Sequence, residues 1–268
     1  MKSKFALFSL ALCAFHTAAI SADAYLRFPA VRGNTVVFTS EGDLWKSTLE
    51  GGQAQRLTTH PSPETNATIS PDGQMLAFSA FYEGTQEAYV MPITGGLPKR
   101  ISFENGAVRV LGWTPHGEVM VAMQNATGPN TYPVVASIQW QSLKQRVFPV
   151  AEANDAVLDD SGRFLYFTRF GLQLSGDNAR RYRGGLRAQI WRFDLLGKAE
   201  ALALLSAPDA NFRRPMWSNG RLYFISDKSG ADNIWSATPD GKDLKALTHH
   251  ADWEYATPRW TANRWSTS

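Results

Sequence analysis

Arg180, Arg181 and Arg183, with Tyr182 among them, put three guanidiniums and an aromatic ring within four residues. Such forks grip a carboxylate or a phosphate through paired hydrogen bonds, and Tyr182 offers a stacking surface. The same residues also read as a solvated loop whose arginines face Asp177 or a neighbouring structural unit. A second pair, Arg213-Arg214, stands just ahead of an apolar run and reads as charge flanking a strand at a junction.

Other candidates reduce to turns. His249-His250 with Asp252 has the residue types of a metal site. Adjacent side chains on a strand point to opposite faces, so a loop role is expected instead. Asp159-Asp160 resembles a carboxylate dyad, yet Ser161-Gly162 follows, as in turns where Asp bonds nearby backbone. His116, in Thr114-Pro115-His116-Gly117, takes an equivalent turn position. The sequence contains no G-x-S-x-G, no H-E-x-x-H and no C-x-x-C, and no Gly-rich loop leads into a helical pattern. Neither hydrolytic chemistry, a metal nor a cofactor is therefore expected of these residues.

The elements that must position these side chains are strands. Ile69-Ser70-Pro71-Asp72-Gly73 followed by Met75-Leu76-Ala77-Phe78 recurs in weaker form around Gly117, Gly162 and Gly220, and begins at Gly33. Each copy has a second half, Asp43-Leu44-Trp45, Glu87-Ala88-Tyr89, Gln189-Ile190-Trp191 and Asn233-Ile234-Trp235, then a Gly turn and a short closing strand such as Arg56-Leu57-Thr58 or Arg100-Ile101-Ser102. Trp45 and Tyr89 lie 44 positions apart, as do Leu57 and Ile101. Four short strands per period, joined by Gly-, Pro- and Asp-rich turns, predict a blade of an all-β propeller. Paired sandwiches do not require such a period. The units predict five complete blades and, at Ala256–Trp260, the start of a sixth. An open ring of this kind leaves two apolar blade faces, so the chain reads as the front part of a longer protein.

Antiparallel strands send successive connections to alternate ends of a blade. The long connections, Asn125–Pro133 and Gly171–Arg187, fall between second and third strands and share one face with the links between blades. That variable-loop face is where peptides or protein partners are expected to bind.

Composition sets outer bounds. Across 268 residues, 44% are hydrophobic and 12% aromatic, which suits a packed sheet protein. A net charge of +3 is too small for a phosphate-backbone binder, so nucleic acid is not an expected partner. Lys2 and Lys4, the apolar run Phe5–Phe15 and Ala22-Asp23-Ala24 have the pattern of a secretory signal over residues 1–24, with an uncleaved anchor as the alternative. The propeller would occupy residues 25–268, with no membrane span after signal removal. Cys13 lies inside the signal, which leaves no disulfide and fits a bacterial periplasm or secretion.

Ser70-Pro71-Asp72-Gly73-Gln74-Met75-Leu76-Ala77-Phe78 resembles the repeat of TolB-type and WD40-like propellers. Tyr25-Leu26-Arg27-Phe28-Pro29-Ala30, Asp43-Leu44-Trp45, Arg56-Leu57-Thr58-Thr59-His60, Gly176-Asp177-Asn178 and Tyr182-Arg183-Gly184-Gly185 together resemble the N-terminal six-bladed propeller of tricorn-type proteases. That resemblance implies peptide hydrolysis by a larger, homo-oligomeric protein whose serine nucleophile and histidine base lie in further domains. It implies a substrate-handling role for this region, with Arg180-Arg181 as the local candidate for the pair that anchors a substrate's C-terminal carboxylate. Arg183 and Tyr182 would support them. A non-enzymatic, TolB-like protein-binding propeller is the alternative.

Overall fold

The computed structural model describes residues 26–104, 106–124, 132–171 and 182–251. Five four-stranded sheets account for all the named strands. Blade 1 holds β1 (Arg27–Arg32), β2 (Thr35–Ser40), β3 (Asp43–Thr48) and β4 (Gln55–Arg56). Blade 2 holds β5 (Glu64–Ile69), β6 (Met75–Ala80), β7 (Glu87–Pro92) and β8 (Lys99–Arg100). β9 (Arg109–Trp113), β10 (Val119–Gln124), β11 (Pro133–Gln139) and β12 (Lys144–Val147) form blade 3. Blade 4 is built from β13 (Ala153–Leu158), β14 (Phe164–Arg169), β15 (Gln189–Asp194) and β16 (Leu202–Leu205). Blade 5 comprises β17 (Phe212–Ser218), β18 (Arg221–Ser226), β19 (Asn233–Ala237) and β20 (Lys245–Ala246). In each blade the strands lie in chain order, and neighbours run antiparallel.

Period-two alternation assigns successive residues of a central strand to different neighbours. Leu76 and Phe78 pack toward Ala30, Val37 and Leu44 of blade 1, whereas Ala77 packs toward Val110, Val119 and Val121 of blade 3. Met120 turns the other way, against Leu165 and Phe167 of blade 4. Tyr166 meets Phe212, Leu222 and Phe224 of blade 5. The result is four apolar seams joining five blades in series. Among the described residues no seam joins blade 5 back to blade 1, and five blades stand where the family resemblance implies six. The sixth-blade strand expected at Ala256–Trp260 lies outside the described residues, as does the expected signal segment.

Polar ties repeat with the same period. Asp43 pairs with Arg56, and Glu87 pairs with Arg100 at 2.8 Å, each acid opening the third strand of its blade. Beside them, the hydroxyls of Thr58, Ser102 and Thr248 accept from the amides of Leu44, Ala88 and Ile234 at 2.8, 2.8 and 2.9 Å. In blades 1 and 2 the closing Arg-x-Thr/Ser segments thus fasten the outer strand to the acid and backbone of the third, while in blade 5 Thr248 binds Asn233 in place of an acid. Between blades, Thr39 Oγ1 donates to the Glu64 carbonyl, while Ser79 Oγ and Thr168 Oγ1 accept from the amides of Val110 and Arg214. The tight turns behave as expected of Asp. Asp159 accepts from Ser161 Oγ at 2.5 Å and from the Phe164 amide at 2.9 Å, and Asp72 does the same with Ser70 and Gln74.

Two measurements test these ties. Ser102 accepts from a buried amide and donates to buried Glu87, so Ser102→Ala is expected to lower the unfolding free energy by about 1–3 kcal/mol in urea denaturation. On the exposed β14–β15 rim, hydrogen bonds from Arg163 hold the Asp194 carboxyl down at about 2. A depressed carboxyl contributes stability above its unfolded value of roughly 3.9, and this contribution is lost as pH falls toward the folded value. In Arg163→Gln, the Asp194 midpoint followed by NMR is expected to return toward that unfolded value.

Candidate functional site

All five first strands face the propeller axis and enclose a cavity of about 420 Å³. Its wall includes Arg32 of β1, Thr68 of β5, Trp113 of β9, Asp155 of β13, and Arg214 and Trp217 of β17. Each first strand carries an irregularity in its pairing with the second. In β1, β5 and β17 two residues oppose one, and the first of the two, Phe28, Asn66 or Arg214, has φ of 50°, 55° or 53°.

Arg213-Arg214, expected ahead of a strand, lies inside β17, because the bulge lets the strand begin earlier, at Phe212. The junction expectation holds for the backbone, since the Arg214 amide binds Thr168 of blade 4. The two side chains part company: Arg213 pairs with Asp232 of its own blade, and Arg214 enters the cavity. Arg109 holds Asp155 at 2.7 Å and donates to the Asn154 carbonyl. Burial pushes the Arg214 guanidinium down to about 10, with Asp155 opposing that shift, so Arg214 remains a cation at neutral pH. At the opposite end of β1, burial lowers Arg32 and the Asp72 charge partly offsets it.

The second region is the variable-loop face of blade 4. Arg180 and Arg181 lie outside the described residues, as does most of the Asn125–Pro133 connection. Tyr182 and Arg183 are described, and the chain is pinned where it returns to β15. Arg183 Nη1 donates to Asp227 Oδ2 at 2.7 Å, across to the β18–β19 turn of blade 5. Asn211 ties the pieces together: its amide and Nδ2 donate to Asp227, Nδ2 also donates to the Tyr182 carbonyl, and Oδ1 accepts from the Ala188 amide. Arg187 closes the turn by donating to the carbonyls of Arg183, Gly184 and Ala207. The hydroxyl end of the Tyr182 ring lies over Gly184, where a Cβ would displace it. Arg183 therefore spends one donor on a neighbouring blade, the arrangement weighed against ligand binding from the sequence. The role of Asp227 and Asn211 was not legible there, because neither belongs to a motif.

Several other candidates serve as connections. His116 sits in the β9–β10 turn, where the Gly117 amide bonds the Thr114 carbonyl. His250 exchanges backbone bonds with the side chain of Asn233. Among the described residues no group of His, Cys, Asp and Glu is placed to hold a metal ion, and no helix is long and apolar enough to cross a membrane.

Known proteins fall into line with this geometry. A family model described as the tricorn protease N-terminal beta propeller domain matches residues 23–264. Tricorn protease homolog 1 of Streptomyces coelicolor is 31% identical over 230 residues, covering 85% of this chain and 21% of the relative. The chain thus spans about a fifth of the length of that curated relative. A crystal structure of the tricorn protease superposes with a TM-score of 0.73 at 23% identity, over 88% of this chain and 23% of that one. TolB from Acinetobacter baumannii gives 0.63 at 15% identity, over 82% and 53% of the two chains. At those identities the two structures speak for the fold alone.

The anchoring of the return segment is testable. In Asp227→Ala, the Gly171 and Ala188 amides, now bonded to Leu186 and Asn211, are expected to exchange at least about tenfold faster, with unfolding elsewhere little changed.

Proposed function

Because the chain belongs to the family of tricorn protease N-terminal beta propellers, we propose that it is the substrate-handling propeller of an exported serine protease that hydrolyses oligopeptides. Peptides engage the variable-loop face of blade 4, where Arg180 and Arg181 hold a C-terminal carboxylate and Tyr182 and Arg183 border them. The observation that carries this reading is the pinned return segment. Asp227 and Asn211 fix Tyr182 and Arg183 against blade 5, and Arg180 and Arg181 directly precede them in the chain. A rigid anchor beside an arginine pair reduces the ordering cost of binding a charged chain end.

In this reading a sixth blade completes the ring in the full-length protein, which assembles as a homo-oligomer in the periplasm or outside the cell. The nucleophile and base come from further domains. The TolB-like alternative, a propeller that only binds other proteins, rests on likeness of fold and lacks the family match.

Arg180→Ala with Arg181→Ala in the full-length protein is expected to lower kcat/KM for short peptides with a free C-terminus by about tenfold to a hundredfold, the value of charge-assisted hydrogen bonds. Peptides amidated at the C-terminus should lose far less. Unchanged cleavage of free-ended peptides overturns the assignment of the pair. The purified 268-residue chain is expected to leave all these peptides intact.

A further inference from the structure

Of the three guanidiniums grouped at the inner end of β9 and β17, two have their own acceptors: Arg109 has Asp155, and Arg213 has Asp232. The third does not. Among the described residues the Arg214 guanidinium makes no ion pair, and its Nε is buried with no hydrogen-bond partner. Arg214 as a whole is only partly buried, and the opposing charge it feels is Asp155, which Arg109 already holds; a buried donor left without an acceptor still carries a cost that a bound acceptor would relieve. Its backbone adds to the cost, because φ of 53° is unfavourable for a long side chain.

The surroundings point to what balances it. Other buried polar atoms on the same wall, Thr68 Oγ1, Trp217 Nε1 and Ser218 Oγ, likewise lack partners. A cavity of about 420 Å³ has room for a small ion together with several waters of roughly 30 Å³ each. Trp113 and Trp217 give the wall apolar surface, which strengthens any charge–charge contact made inside.

We propose that the axial cavity is a binding site for a small oxyanion, a carboxylate or a phosphate, held by the guanidinium of Arg214. Neither Tyr182 nor Arg183 lines this cavity, and the proposal does not depend on the proteolytic reading, since binding is read on this chain alone. A carboxylate can come from a free acid or from the end of a peptide, so the two sources need separate arms.

The repeat supplies the variant. Asn66 occupies the equivalent bulge of blade 2 with nearly the same φ, so Arg214→Asn removes the charge while keeping the backbone. Wild type and R214N are melted in chloride buffers of matched ionic strength, then with added phosphate, acetate, or an N-acetylated tripeptide with free or amidated C-terminus. Wild type is expected to gain about 3–6 °C at saturating phosphate or acetate. R214N should gain nothing from either anion. Stabilisation by the free-ended tripeptide but not the amidated one assigns a peptide carboxylate, and stabilisation by the simple anions alone assigns a free ion. No shift in wild type, or an equal shift in R214N, overturns the proposal. Should R214N not fold, calorimetric titration of phosphate decides. Binding to wild type weakened about tenfold in R214K upholds the site, and unaltered affinity or no binding to wild type refutes it.

Discussion

A twisted sheet with apolar side chains on both faces cannot rest against water on either of them. That constraint governs this molecule. Each interior blade answers it by giving alternate residues of its central strands to the neighbour on either side. Leu76 and Phe78 belong to one contact surface and Ala77, between them, to another. The size of each residue is therefore set by a different partner, and the four clusters stay separate although every blade is thin. Blades 2, 3 and 4 are covered on both sides. Blades 1 and 5 each share one such surface among the described residues, which makes the assembly a linear array of nearest-neighbour couplings.

Polar groups serve this packing. Buried acids at the start of third strands would be expensive alone, and the Arg-x-Thr/Ser segments supply both a counter-charge and a hydroxyl. The same small set of bonds holds a two-residue strand such as β4 or β8 in place, where backbone pairing alone would be marginal. Blade-to-blade hydroxyl bonds from Thr39, Ser79 and Thr168 reach the inner strands just where their pairing is irregular.

Most of this was legible from the sequence because it is periodic. The 44-residue spacing of Trp45 and Tyr89 located third strands, and Asp72 and Asp159 marked tight turns, since both signals depend on neighbours close in the chain. Arg214 was harder to place. Its surroundings are defined by where five inner strands meet, and nothing in Phe212-Arg213-Arg214-Pro215 announces that two residues will oppose one. The link from Arg183 to Asp227 spans 44 positions and joins two loops, so no local pattern encodes it.

The inner-strand bulge itself has a consequence for what reaches the centre of the molecule. Phe28, Asn66 and Arg214 adopt nearly one backbone geometry although they are aromatic, amide and cation. The conformation is imposed by the flanking register, and it is held even where the side chain, as at Phe28 and Arg214, is one that disfavours it. Of the three only Arg214 lines the axial cavity, so in blade 5 alone the bulge hands a charge to the centre while the strand pairing on either side of it is kept.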